Sequence, residues 1–182
     1  MALGFTIPTL RAGPFSLRPF EDGDVDLVRE ASAAPDISAT RAVPSEVDDE
    51  DAIAFIQRQA SRARAGEGYP FAIAEDGTAI GHAGLWPVHG DAERAVVDYW
   101  VAPSHRGQHA ALHAVKAIAA WAFDELGMVR LELTTEPDNE YGIRIAQQAG
   151  FHPEGTLRSW TPVGAGRHDM RMFSMLATDE RF

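Results

Sequence analysis

Apolar positions recur along the chain in two rhythms, alternate residues and every third or fourth, and together they divide it into strands and helices. Phe15-Ser16-Leu17-Arg18-Pro19 alternates like a short strand. Glu21-Asp22-Gly23-Asp24 then offers an N-cap for a helix through Val25, Leu27, Val28 and Ala31, which Pro35 ends. Asp48-Asp49-Glu50-Asp51 opens a second helix, with Ala52, Ile53, Phe55, Ile56 and Ala60 on one stripe. Phe71–Ala74 and Ala79–Leu85, joined by Glu75-Asp76-Gly77, read as a hairpin, and residues 95–101 as a further strand. From about Gly107 to Leu126 the stripe Leu112, Val115, Ile118, Ala119, Ala122, Phe123 and Leu126 predicts a buried helix closed by Gly127. Residues 129–134 form a strand, Asn139–Gln148 a helix closed by Gly150, and Phe151 restarts extended chain. Met170–Leu176 is the last strand, after the turn Gly164-Ala165-Gly166. This order predicts a mixed α/β (α+β) fold with a largely antiparallel sheet, and no repeat or linker divides residues 1–182 into more than one domain.

Composition narrows the function classes. The chain has no cysteine, which excludes disulfides, thiolate metal sites and a cysteine nucleophile. Its net charge of −11, without a compensating basic cluster, argues against nucleic-acid binding. The first residues, MALGFTIPTLRAGPF, carry no basic region followed by a long apolar run, so no signal peptide is expected. No apolar stretch approaches the roughly 20 residues needed to span a bilayer. A cytoplasmic protein with no membrane partner is the expectation.

The stretch PSHRGQHAALHAVK, residues 103–116, places a turn with Arg106 and Gly107 just before a helix. A strand, a short turn and a helix N-terminus together present free backbone N–H groups and the positive end of the helix dipole to an anion. His105, His109 and His113 also fall at i, i+4 and i+8, a spacing that could gather imidazoles on a helix face. Pro103-Ser104 sets the helix start after His105, however, and no carboxylate lies at a matching spacing, so no metal is expected.

Residues 98–158, DYWVAPSHRGQHAALHAVKAIAAWAFDELGMVRLELTTEPDNEYGIRIAQQAGFHPEGTLR, resemble the core of the GNAT superfamily of acyltransferases. The resemblance is to the RimJ/RimL type, which acetylates ribosomal-protein N-termini. It rests on the strand Tyr99-Trp100-Val101-Ala102-Pro103, the cradle Arg106-Gly107-Gln108-His109-Ala110-Ala111 and Asn139 before a helix ending in Gly150-Phe151. Leu17-Arg18-Pro19, Ile80-Gly81 and the final strand extend it along the chain. It implies the GNAT fold, a central mixed, mostly antiparallel sheet of roughly six or seven strands with about four helices and two splayed parallel strands. It also implies acetyl-CoA as donor and an amine as acceptor, with no metal; dimers are common among similar proteins. The pyrophosphate would lie on the backbone N–H groups of Arg106, Gly107, Gln108, His109, Ala110 and Ala111. The pantetheine arm would pair with Trp100, Val101 and Ala102, and Asn139 would touch it or line the acceptor side. His109 departs from the pattern, which has glycine there. The glycine is read as leaving room for phosphate, and histidine as able to keep helical φ and ψ with its ring turned aside.

Transfer from a thioester to an amine needs a proton acceptor, a stabilised oxyanion and a leaving thiolate that is held or protonated. Close relatives often place a carboxylate two residues before position 98, where this chain has Val96. Asp98 shares a strand face with Val96 and Trp100 and is the first candidate base. His82 on the preceding strand is the second, and Glu93 the third. A serine three residues after the asparagine is Gly142 here, and a tyrosine seven residues after it is Ala146, leaving Tyr141 as candidate acid. Trp86 and Trp160 are expected to border the acceptor cleft and Trp121 to pack in the core. Because Val96, Gly142 and His109 all depart from the pattern, a non-catalytic acyl-CoA-binding module stands as the alternative, beside transfer of another acyl group such as succinyl.

Overall fold

The computed structural model describes residues 4–40 and 42–181; positions 1–3, the start of the N-terminal stretch read above, and 41 and 182 lie outside the described residues. Strands β1 (Leu10–Ala12) and β2 (Phe15–Arg18) lead through a 3-10 turn at Asp22–Asp24 into helices α1 (Val25–Ala33), α2 (Pro35–Ser38) and α3 (Asp49–Arg64). Strands β3 (Tyr69–Glu75), β4 (Thr78–Val88) and β5 (Asp91–Val101) follow, then a 3-10 turn at Pro103–His105 and α4 (Ala110–Asp124). Strand β6 (Arg130–Thr135), α5 (Glu140–Gln148), β7 (His152–Val163) and β8 (Gly166–Leu176) complete the chain. Among the described residues, no helix is long and apolar enough to cross a membrane.

The described strands form one sheet in the order β1-β2-β3-β4-β5-β6-β8-β7. Every neighbouring pair is antiparallel except β5–β6. The architecture is therefore the mixed, mostly antiparallel one expected, with eight strands in place of six or seven. Pro35 does stop α1, but it also opens the single turn of α2, because a proline at the first helical position lacks only an N–H that would have no partner there.

One face of the sheet is covered by α4. Its stripe of Ala111, Ala114, Val115, Ile118, Ala119 and Ala122 is fully buried, and its many alanines let the helix axis lie close to the strands. The other face packs on α1 and α3, where Leu27, Val28, Ala31, Ala52, Phe55 and Ile56 meet Trp100 and Ala102. Helix α3 starts cleanly: the Asp48 side chain accepts from the Asp51 N–H at 2.8 Å, and Asp49, Glu50 and Asp51 complement the dipole. Helices thus sandwich the middle of the sheet, and β7 is left largely exposed at its edge.

Candidate active site

The parallel pair β5–β6 is short. Its register runs only over Arg94↔Arg130, Ala95↔Leu131 and Val96↔Glu132, while β5 continues to Val101. Beyond Val96 the two strands part, leaving a gap in the middle of the sheet. The Ala102 N–H donates to the Ile80 carbonyl at 3.0 Å, so by antiparallel alternation the even residues of β5 turn their amides to β4. Val97, Tyr99 and Val101 turn theirs to the β6 side; the Val97 amide closes the last rung at Val96↔Glu132, and those of Tyr99 and Val101 face the gap. Of the three residues expected along the pantetheine arm, Val101 turns its backbone to the opening, and Trp100 and Ala102 flank it with their backbones turned to β4. Trp100 and Ala102 pack their side chains against α1 and α3. The closed end of the gap is pinned by charges. Arg94 and Arg130 both donate to Glu132 Oε1, at 2.7 and 2.8 Å, and Arg130 also grips Glu154. Burial acts to raise the Glu132 pKa, but the two guanidiniums outweigh it and hold the carboxylate below its ordinary value. Glu132 lies directly across from Val96, so the carboxylate absent at 96 has a neighbour on the next strand, already neutralised.

The open end of the gap leads to the start of α4. Gly107 has φ 83°, with open space where a Cβ would point. Ala110, Ala111 and Leu112 are the first residues of the helix, and their N–H groups have no acceptor within it. The Arg106 side chain is held in place, Nε donating to the Val101 carbonyl at 3.1 Å and Nη2 to Asp36 at 2.8 Å. Ser104 donates through both N–H and Oγ to Glu30, so the turn is clamped to α1 and α2. Gln108 is exposed beside it.

His109 is not helical as expected. It is the N-cap of α4 with φ 62° and ψ 16°, a left-handed conformation, and its side chain makes no capping hydrogen bond. The usual glycine therefore answers a backbone requirement, a positive φ where the chain swings from Gly107 into the helix. Left-handed backbone costs an ordinary residue about 1–2 kcal/mol, while glycine gives back about 0.4–1 kcal/mol through the unfolded chain. His109→Gly should accordingly leave the free energy of unfolding unchanged or raise it by up to about 1.5 kcal/mol, measured by urea denaturation. A clear loss of stability would mean that the imidazole makes a contact worth more than the strain. His113 packs its ring against Phe15, 5.9 Å between centroids, and His105 sits in the preceding turn, so the three imidazoles do not converge.

Asp98 and His82, expected as separate candidates, form one pair. On β4, His82, Gly84 and Trp86 share the face that carries Val96, Asp98 and Trp100 on β5. His82 is buried, with Phe20 at 5.9 Å and Trp100 at 5.8 Å between ring centroids. Its Nδ1 lies 3.1 Å from the Phe71 carbonyl oxygen, which can only accept, so Nδ1 carries hydrogen. Its Nε2 lies 3.2 Å from Asp98 Oδ1, and one proton must sit between those two atoms. The Trp86 indole N–H donates to the same oxygen at 2.8 Å. Oδ2 is left to the solvent side, with 52% of the Asp98 side chain exposed. Desolvation acts to raise the Asp98 pKa; the charge and hydrogen bond of His82, the Trp86 bond and the charge of Arg62 prevail and hold it below its ordinary value. Gly84 makes the cluster possible, because a Cβ there would run into both the Asp98 carboxylate and the Trp86 indole.

The other expected residues are more scattered. Tyr141 is half-exposed on α5, and Asn139 caps that helix, its Oδ1 accepting from the Gly142 N–H at 2.8 Å. A side chain at Gly142 would collide with Thr135 Oγ1, so a serine there would require the Thr135 side chain to give way. Trp121 packs edge-on against Tyr69 and Phe71, in the core as expected. Trp86 belongs to the site; Trp160 is exposed on β7. Glu93 is exposed near the start of β5, away from the gap. Three neighbours were not read from the sequence. Phe20 walls His82, Arg62 stacks over the Trp86 ring at 3.8 Å, and Tyr99 stands at the gap with its pKa pushed up by burial and by Tyr141 nearby.

Residues 15–152 match the acetyltransferase (GNAT) domain family. A probable N-acetyltransferase of Bacillus subtilis, YjcK, is 30% identical over 117 residues, 63% of this chain and 65% of that protein. An uncharacterised N-acetyltransferase of Bacillus licheniformis, p20, is 26% identical over 92% of this chain and 96% of its own length. Among solved structures, Mycobacterium smegmatis RimJ in complex with CoA-disulfide superimposes with a TM-score of 0.78 at 25% identity, covering 94% of this chain and 87% of that one.

Proposed function

Because the chain belongs to the GNAT acetyltransferase family, we propose that it acts as one domain that transfers an acetyl group from acetyl-CoA to a primary amine, a protein N-terminus or a small molecule. The reading is carried by one observation: the Asp98–His82–Trp86 cluster stands beside the stretch of β5 whose amides at Tyr99 and Val101 face an open gap. The N–H groups at the start of α4 suit the pyrophosphate of the donor, with Gly107 leaving space beside them. Val101 and its odd-numbered neighbours suit the pantetheine arm, lying as an added strand.

Without cysteine the acyl group moves directly. The amine nitrogen bonds to the thioester carbon, the C–S bond breaks, and sulfur leaves as thiolate. Asp98 Oδ2 accepts an N–H of the incoming amine and takes its proton as the nitrogen becomes positive. His82, held by the Phe71 carbonyl, keeps Oδ1 occupied, so the carboxylate presents one oxygen in one orientation. A backbone N–H at the gap meets the negative charge that grows on the carbonyl oxygen. Tyr141 is the proposed donor to the thiolate.

Calorimetry with CoA and a thiol-release assay over an amine panel test the reading. Binding should be seen and should weaken in Gly107→Val, because valine would both strain the positive φ and fill the space. No CoA binding at roughly 1 mM, a free energy weaker than about −4 kcal/mol, would overturn it.

A further inference from the structure

A cavity of about 680 Å³ opens between the loop around Ala42 and Pro44 and the helix α3, where Phe55, Arg58, Gln59 and Arg62 line it. Two chains of contacts join it to the candidate base. Phe55 meets Phe20 edge-on at 6.0 Å, and Phe20 meets His82 at 5.9 Å. Arg62 stacks on Trp86, whose N–H reaches Asp98. Asp98, His82 and Trp86 do not line the cavity; Arg62 is the residue it shares with the cluster, and an amine held by Asp98 would extend past Arg62 to reach it, in a volume that suits a small ligand or a few residues of peptide.

The charges of the cavity do not balance. Arg62 is paired with Glu67 at 3.1 Å. Arg58, one helical turn earlier on the same side, lies 5.7 Å from the Phe55 ring centroid and makes no salt bridge among the described residues. Among the described residues the wall thus carries one guanidinium without a salt bridge, that of Arg58, with the Gln59 amide and the Ser61 hydroxyl as further polar groups. A guanidinium matches a carboxylate in charge and in planar, two-pronged shape. At this range the local charge decides, since the protein's net charge of −11 is screened beyond about 10 Å in ordinary salt. We propose that the acceptor is an amine that also bears a carboxylate, and that Arg58 selects it. A single arginine fits a single negative charge better than a dianion.

This inference rests on the acetyltransferase reading above. Its test uses matched acceptors that differ only in charge: amino acids against their amides, and short peptides with glutamate against glutamine after the N-terminal residue. Thiol release should show the acidic member of at least one kind of pair favoured about tenfold or more in kcat/KM, as expected for a hydrogen bond to a charged group. The two kinds separate a small molecule from a protein N-terminus. Arg58→Gln should bring that ratio close to one, and Arg58→Lys should restore part of it. CoA affinity, followed by calorimetry, reports that the variants are folded. Equal use of both members in every pair, or a ratio that survives Arg58→Gln, would overturn the inference while leaving acetyl transfer standing. Bound CoA with no acetylation of any amine would instead overturn the acetyltransferase reading, and this inference with it.

Discussion

Asp98→Asn is expected to lower kcat/KM for amine acetylation about 10²–10⁴-fold, the range for removing a positioned proton acceptor. The amide keeps the size of the side chain and an oxygen for the Trp86 bond. What it loses is the negative charge and the ability of the second oxygen to take a proton. CoA affinity should be unchanged, because the Asp98 carboxylate bonds to His82 and Trp86 and to no group of the cradle at the start of α4. The pH dependence adds a sharper test. The Asp98 pKa is held below its ordinary 3.8, so the carboxylate is ionised throughout the neutral range. Its ionisation should contribute no acid limb above about pH 4, and the rate should rise with pH as the acceptor amine loses its own proton. Activity of the asparagine variant within a few-fold of the parent would remove Asp98 from the chemistry.

Phe71→Ala should destabilise the fold by about 3–5 kcal/mol, the usual cost of emptying a fully buried aromatic position. Phe71 has no exposed surface, lies in the central strand β3 and meets the Trp121 ring edge-on at 5.7 Å. For a chain of this length the melting temperature would fall by roughly 6–20 °C. Its carbonyl also fixes the His82 ring. A variant that survives at low temperature should therefore bind CoA normally yet acetylate more slowly, as the His82–Asp98 geometry loosens. A loss below about 1 kcal/mol would show that Trp121 and its neighbours collapse into the space.

Where burial is one-sided, the sequence pattern states the structure directly. Helix α4 was legible because Val115, Ile118, Ala119, Ala122 and Phe123 recur at helical spacing on the side it buries against the sheet. Strand β7 gave no such signal: neither of its faces is buried, so alternation between apolar and polar residues never develops. β1 is three residues long, too short to show any period. The site divides in the same way. Asp98 and His82 were found by strand alternation, and the presence of Trp86 two positions beyond Gly84 carried the same signal. Arg62 and Phe20 reach the cluster from distant parts of the chain, and nothing local to them announces it. His109 was misread for a specific reason. In the sequence an absent glycine reads as absent space, whereas the turn demands a positive φ at His109, as it does at the neighbouring Gly107.

The short β5–β6 ladder has a further consequence. Two strand edges, normally found at the rim of a sheet, here lie inside the protein, where β5 runs on beyond its last pairing with β6 and only the Val101 carbonyl is taken, among the described residues, by the Arg106 side chain. A molecule that lies between them as an extra strand binds only the folded form, so its concentration enters the folding equilibrium. At one hundred times its dissociation constant it would add about 2.7 kcal/mol, enough to raise the melting temperature by roughly 5–11 °C. Persistence of the protein would then follow the supply of that molecule: when it is scarce, the sheet stands open and the chain is exposed to proteolysis and to strand pairing with its own copies.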